Sequence, residues 1–198
     1  MRPMRALAVV AAVLVPGIAW AHHFMESELP RTAAQGFLSG LAHPVIGLDH
    51  AAFIVAAGFL LALCRHGLWG VGALVAGSLA GAALHLGGID LPGGEAAVAL
   101  SVIGVGVLVA MRRTLPLGGL AAGLALAGAL HGHAYAESIF GAEPLPLGAY
   151  LAGFSAIQLA LAAGALLLHR HLRHGWSRPA ASLIGGTAGA VGLFFLLV

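Results

Sequence analysis

The sequence predicts an all-α membrane protein: a polytopic bundle of six transmembrane helices with a broken or re-entrant segment near residues 33–47. Of its 198 residues, 60% are hydrophobic and only 8% are charged, whereas a soluble domain carries about 25% charged residues. The mean hydropathy is +0.99, and no long polar stretch offers a separate water-soluble domain. We therefore expect one membrane domain.

The first segment, MRPMRALAVVAAVLVPGIAWA, has the layout of a secretory signal peptide. Two arginines precede an apolar run from Ala6 to Val15, and small residues close the segment. The run is shorter than the roughly 20 residues that a spanning helix needs. We predict a signal peptide over residues 1–21 and a single transmembrane domain over residues 22–198.

Six apolar runs follow, each about long enough to cross a bilayer. The preceding stretch, 33–42, is too short to cross and is expected to form a half-helix. Glycines often recur four residues apart, a spacing that lets membrane helices approach closely and predicts a tight bundle. The runs are approximately 48–64, 68–86, 95–111, 115–135, 146–168 and 180–198, and the glycine pairs are Gly77 and Gly81, Gly119 and Gly123, Gly128 and Gly132, and Gly185 and Gly189.

The arginines predict the orientation of the helices. They fall in alternate connections, whereas the other connections, GGIDLPGGE and ESIFGAEPLP, carry only acids. Because cytoplasmic loops are enriched in arginine and lysine, we place the arginine connections in the cytoplasm and both termini of the mature protein outside. These arginines are Arg65, Arg112, Arg113, Arg170, Arg173 and Arg178.

Three ionisable residues, His43, Asp49 and His50, interrupt the otherwise apolar stretch GLAHPVIGLDHAAFIVAAG. An ionised carboxylate at the centre of a membrane helix costs roughly 2.5–3.5 kcal/mol, so a compensating partner is expected. In a continuous helix the two histidines would lie about 10 Å apart along the axis, too far to share an ion. Pro44 disfavours a helical backbone at His43, and Gly47 offers free backbone geometry. We therefore predict a break that takes His43 out of the helix and folds it back towards Asp49 and His50. The alternative is an ordinary helix start with a capping acid and solvated histidines.

A second polar group, ALHGHAYAESIFGAE, lies at the outer end of the fourth run. His133 and Glu137 share a helix face, whereas His131 and His133 point to nearly opposite sides of a regular helix. Both histidines can contact one ion only if Gly132 lets the helix unwind. Since imidazole and carboxylate suit nickel, cobalt, zinc or copper, the two polar groups together predict a transition-metal site on the outer side.

Other histidines and acids are weaker candidates for this site. His85 lies at the outer end of the second run, where a packed interfacial histidine is an equal alternative. Solvated loop residues are the favoured interpretation of Asp90 and Glu95. The sequence leaves open whether His85, Glu95, His22 and His23 join the site.

Two motifs resemble the signatures of the HupE/UreJ family of nickel and cobalt permeases. HPVIGLDHAAFIVAAG is similar to HPxxGxDHxxxMxxxG, and LHGHAYAES is similar to a looser His-Gly-x-Ala segment that closes on a glutamate. The departures are Ile54 at the methionine position and Ala136 where glycine is common. The matching residues are His43, Pro44, Gly47, Asp49, His50 and Gly58 in the first motif and His131, Gly132, Ala134 and Glu137 in the second.

The resemblance implies a permease that takes up Ni²⁺, with Co²⁺ as a second candidate, for the maturation of hydrogenase or urease. We expect a multi-pass protein of the bacterial inner membrane whose mature termini lie in the periplasm. We expect no enzymatic activity and no prosthetic group. The partners are the metal ion and the lipid bilayer, a homo-oligomer is left open, and nucleic acid is not expected because the arginines are scattered. The predicted metal-binding residues are His43, Asp49, His50, His131, His133 and Glu137.

Two other functions fit the same residues. One is an intramembrane zinc hydrolase in which Glu137 acts as general base towards a metal-bound water. The other is an assembly factor that hands metal to a partner without transporting it. No GxxxxGK[ST] loop is present, so transport driven by ATP would require a partner protein.

Overall fold

The structure, a computed structural model, describes residues 29–113, 115–172 and 178–198. The described residues form seven α-helices and no strand, which confirms the all-α prediction. The predicted signal peptide lies outside them. The helices are α1 (Ala33–Ile46), α2 (Leu48–Leu61), α3 (Gly67–Leu86), α4 (Gly94–Ala110), α5 (Leu117–Glu137), α6 (Pro144–Leu172) and α7 (Arg178–Leu197).

Helices α1 and α2 form the predicted broken segment, bent by 78°. A capping box starts α1: the Thr32 hydroxyl accepts a hydrogen bond from the amide of Gln35, and the Gln35 side chain accepts one from the amide of Thr32. The break lies at Gly47, whose backbone is extended. The expectation that Pro44 removes His43 from the helix is wrong, because α1 continues through both residues to Ile46.

The broken pair lies along α6 and runs in the same direction. A side chain at Gly36 would meet the backbone of Pro146, and a side chain at Gly58 would meet that of Ala162. Helix α2 is central, since it contacts α1, α3, α4, α6 and α7. Its buried residues pack with apolar residues of the surrounding helices into the main core, including Phe53, Leu60, Leu74, Leu124 and Leu166.

Helices α3 and α5 pack closely and run parallel. Gly77 and Gly81 lie against the carbonyl groups of Ala125 and Ala129, so this glycine pair works as predicted. Gly128 and Gly132 of α5 likewise lie against the backbone of Leu74 and Ser78 of α3.

The prediction is wrong for Gly119 and Gly123, which face open space. Residues four apart advance by about 400° around a helix of 3.6 residues per turn. A face defined by this spacing therefore rotates by about 40° at each step. The start of α5 turns its glycines outward, although His131, farther along the same row, is buried.

Charged residues separate onto the two ends of the bundle. The guanidinium of Arg170 donates hydrogen bonds to the carbonyl groups of Cys64 and Arg65, so arginines of two connections meet at one end. The acids Asp90 and Glu137 lie at the other end, where α3 and α5 finish. Arg31, which lies just before α1, is an exception among the arginines with described side chains, because it lies at the acidic end.

Within the part of the chain that the structure describes, two helices are long and apolar enough to cross a membrane, Gly67–Leu86 and Pro144–His171, and the bent pair Ala33–Ile46 with Leu48–Leu61 would add a third. Gly94–Ala110 and Ala181–Leu197 are apolar but shorter. Such helices are typical of a membrane protein. The count of six spans stays a prediction.

Replacing Gly81 by leucine tests the close packing of α3 on α5. The new side chain collides with the carbonyl oxygen of Ala129, and overpacking of this kind costs roughly 1–3 kcal/mol. We expect a lower Tm for the purified protein in detergent. Gly123→Leu is the matched control, since that position faces open space, and it should leave the Tm unchanged. Equal effects of the two substitutions would contradict this packing.

Candidate metal site

The first residues of α2 meet the last turns of α5 through two histidines. The Nδ1 atoms of His50 and His131 lie 2.7 Å apart, and these residues are 7% and 1% exposed. Two nitrogens bound to one ion at about 2.05 Å and at a right angle are about 2.9 Å apart. In this structure the two nitrogens are joined by a hydrogen bond, at a spacing slightly shorter than a shared ion would require.

Hydrogen bonding fixes which nitrogen of His131 carries the proton. The hydroxyl of Ser101 donates to the carbonyl of Val98 at 2.7 Å, so it accepts from Nε2 of His131, which lies 2.9 Å away. Nδ1 of His131 is then unprotonated, and its lone pair faces His50. Such an outer partner orients an imidazole for metal binding.

The same argument applies to His43, which lies next to His50 with ring centroids 6.0 Å apart. Its Nδ1 lies 2.9 Å from the hydroxyl of Tyr150 and 3.1 Å from that of Ser138. Both hydroxyls donate to the carbonyl of Tyr135, so Nδ1 of His43 is the donor to them. Nε2 of His43 therefore carries the lone pair that can bind an ion.

Asp49 supplies the negative charge of this group. It lies in the first turn of α2, where the helix dipole favours an anion, and its Oδ2 is 3.9 Å from Nδ1 of His50. A side chain at Gly47 would come within 2.6 Å of Cδ2 of His50 and 3.3 Å of Oδ1 of Asp49. Glycine at the break thus leaves room for both side chains. Asp49 can therefore lie at the start of α2 and contribute to the metal site at the same time.

Aromatic rings surround the buried histidines. Phe53 stacks on His131 with ring centroids 4.1 Å apart and an interplanar angle of 17°. The ring of Tyr135 lies 4.4 Å from that of His50 and 5.1 Å from that of His43. The buried hydroxyl of Tyr135 has no hydrogen-bond partner among the described residues. A buried polar group of this kind requires a partner such as water or an ion.

His133 and Glu137 lie in a separate cluster. Helix α5 stays helical to Glu137, and Gly132 packs against the backbone of Ser78, so the helix does not unwind there. His133 consequently points away from His131, and its Nε2 lies 3.3 Å from Nδ1 of His85. Of the six predicted residues, the structure brings together His43, Asp49, His50 and His131, and it places His133 and Glu137 with His85 and Asp90.

Several polar residues near the site did not emerge from the sequence motifs. The hydroxyls of Ser101 and Ser138 accept hydrogen bonds from His131 and His43. A second buried pair joins α3 to α6: the hydroxyl of Ser78 lies 2.9 Å from Oε1 of Gln158. Nε2 of Gln158 is buried without a partner among the described residues. An isolated polar residue within an apolar run is the signal that could have identified them.

Comparison with known proteins identifies similar sequences. A sequence profile described as "HupE / UreJ protein" matches residues 10–195. The chain is 33% identical over 193 residues to "Protein HupE" of Rhizobium leguminosarum bv. viciae, and the alignment covers 96% of this chain and 95% of that protein. No solved structure matches the chain.

Proposed function

Since the chain belongs to the HupE/UreJ family, we propose that it transports a divalent transition metal, Ni²⁺ or as a second candidate Co²⁺, from the periplasm to the cytoplasm. The imported metal would be used in the maturation of hydrogenase or urease, with which the family is associated. The observation that carries this proposal is the contact of His50 with His131, whose facing nitrogens lie 2.7 Å apart within an apolar bundle.

The ligand set suits an ion in transit. His43, His50 and His131 offer three imidazole nitrogens and Asp49 one carboxylate, a combination that binds nickel and cobalt without the thiolates that select softer metals. The carboxylate reduces the charge of the dication in a low-dielectric environment. Transport also requires release, and here the ligands come from helices on both sides of the 78° break. A change of angle at Gly47 would separate them.

The charge distribution supports the direction of transport. The cluster lies towards the acidic end of the bundle, and the arginines near Arg170 mark the opposite end as cytoplasmic. On α6, Gln158 lies eight residues beyond Tyr150, or about 12 Å farther along the axis. Gly132, the neighbour of His131, packs against the backbone of Ser78, so the Ser78–Gln158 pair lies beside the level of His131 and farther from the acidic end than His43.

The geometry favours transport over hydrolysis. In a zinc hydrolase the general base must lie within hydrogen-bonding reach of the metal-bound water. Glu137, the candidate base, has a side chain that is 59% exposed and lies beside His133, on the other face of α5 from His131. A carboxylate in that position does not reach a water on an ion held by His50 and His131.

A topology reporter tests the proposed orientation. Fused after Arg113, it should report the cytoplasm, and inserted beside Glu143 it should report the periplasm, because positive connections remain inside. Each fusion should retain normal abundance in the membrane. A periplasmic signal at Arg113 would place the histidine cluster on the cytoplasmic side and contradict uptake from the periplasm.

Substituting Asp49 by asparagine tests the role of the charge in transport. The change preserves the side-chain volume, so α2 should still begin at the same residue. The dication loses the carboxylate of the deeper cluster, which consists of His43, Asp49, His50 and His131. Uptake of Ni²⁺ into sealed vesicles should fall at least tenfold at normal protein abundance. Cys64→Ser is the control and should transport normally.

Normal uptake by the Asp49→Asn protein would show that the carboxylate only caps α2. If the unaltered protein binds Ni²⁺ but moves none into vesicles, the assembly-factor interpretation replaces transport. Metal-dependent turnover of a lipid or peptide without uptake would instead favour the hydrolase.

A further inference from the structure

We propose that His85, Asp90 and His133 form a second, separate binding site for a divalent transition metal at the acidic end of the bundle. One potential ligand atom from each residue lies within 4.8 Å of the other two. Nδ1 of His85 is 3.3 Å from Nε2 of His133 and 3.6 Å from Oδ1 of Asp90. Two nitrogens on a tetrahedral ion at about 2.05 Å are about 3.3 Å apart, which matches the histidine pair.

The turn after α3 builds this site. Gly88 has a φ of +81°, and the amide of Ile89 donates to the carbonyl of Leu84 at 3.0 Å while that of Gly88 donates to the carbonyl of His85 at 2.9 Å. This hydrogen-bond pair is a Schellman motif, which needs a left-handed residue that glycine adopts without strain. The motif folds Ile89 and Asp90 back over the end of α3, where His85 lies.

A backbone carbonyl adds a fourth potential ligand atom for the metal. The oxygen of Ile89 lies 2.9 Å from Nε2 of His133 and, as a carbonyl, can only accept. Nε2 of His133 therefore carries its proton when no ion is bound, and an ion would replace that proton between nitrogen and oxygen. The proton would move to Nδ1, which lies 3.8 Å from Oε1 of Glu137. A carboxylate in this outer position stabilises the metal-binding tautomer.

The donor set indicates the class of ion. Two imidazoles, a carboxylate and a carbonyl without thiolate suit nickel, cobalt, copper and zinc. His133 is 4% exposed, whereas the side chain of Asp90 is 87% exposed. The site thus has a buried imidazole on the protein side and an exposed carboxylate on the water side, an arrangement that can take an ion directly from solution.

This site does not share its ion with the deeper cluster. His131 and His133 are two positions apart on a continuous helix, so their side chains leave α5 about 200° apart. His131 contacts His50, and His133 contacts His85. The role that follows is capture of metal before it reaches the deeper cluster. That role rests on the proposed transport, whereas binding itself does not.

Equilibrium dialysis of the untagged full-length protein in detergent against Ni²⁺ tests the second site. His85→Ala should bind one ion fewer per chain than the unaltered protein, His50→Ala should also bind one fewer, and the double variant two fewer. Asp90→Asn should weaken one ion by about tenfold. Its control is Glu95→Gln, an exposed acid in the first turn of α4 that lies outside the cluster, and this variant should bind as the unaltered protein does.

Two results would overturn the second site: undiminished binding by His85→Ala, or a double variant that loses only one ion. Because the side chain of Asp90 is 87% exposed, its substitution should leave the bundle folded, and unchanged affinity in Asp90→Asn would also count against the site. Vesicle uptake separates this inference from the proposed transport. Loss of the second site should raise the Ni²⁺ concentration for half-maximal uptake and leave the maximal rate unchanged, whereas a failure of transport abolishes uptake in the unaltered protein.

Discussion

The contact between His50 and His131 is the interaction around which the polar residues of this bundle are arranged. It joins α2 to α5, and each of its members is held by a further element: Gly47 makes room for His50 at the break, and Ser101 of α4 fixes the proton of His131. In an apolar environment a buried imidazole without a partner is costly. Nδ1 of His131, which carries the lone pair, accepts a hydrogen bond from Nδ1 of His50 across 2.7 Å, and a bound ion would take the place of that proton.

Close helix packing determines where this contact can form. Apolar side chains gain little by leaving lipid for a helix interface, so membrane helices associate through tight backbone contacts between small residues. Gly81 and Gly132 hold α3 and α5 together in this way, which makes α5 a rigid support for His131. His50 and Asp49 lie instead at the start of α2, beside the 78° bend. The site thus combines a histidine on a tightly packed helix with residues beside a sharp bend.

The helices and the break could be predicted from the sequence because both depend on residues that are close together in the chain. The length of an apolar run indicates a helix, and the position of Gly47 indicates the break. The sequence also indicated that His131 and His133 diverge on a regular helix. The division of the predicted ligands into two clusters could not be derived, since it depends on Gly132 packing against Ser78 of another helix. The break fell at Gly47 rather than at Pro44, and α1 stays helical through Pro44 to Ile46. Ser101 gave only the weak signal of one hydroxyl in an apolar run.

X-ray absorption at the nickel K-edge tests most directly whether His50 and His131 bind one ion together. The protein should be loaded with one Ni²⁺ in the His85→Ala background, so that only the deeper cluster is occupied. If His50 and His131 bind one ion together, the spectrum should show multiple scattering from at least two imidazoles and no sulfur ligand, with one imidazole fewer after His131→Ala. A shell of oxygen ligands without imidazole scattering, or an imidazole count that His131→Ala leaves unchanged, would contradict it.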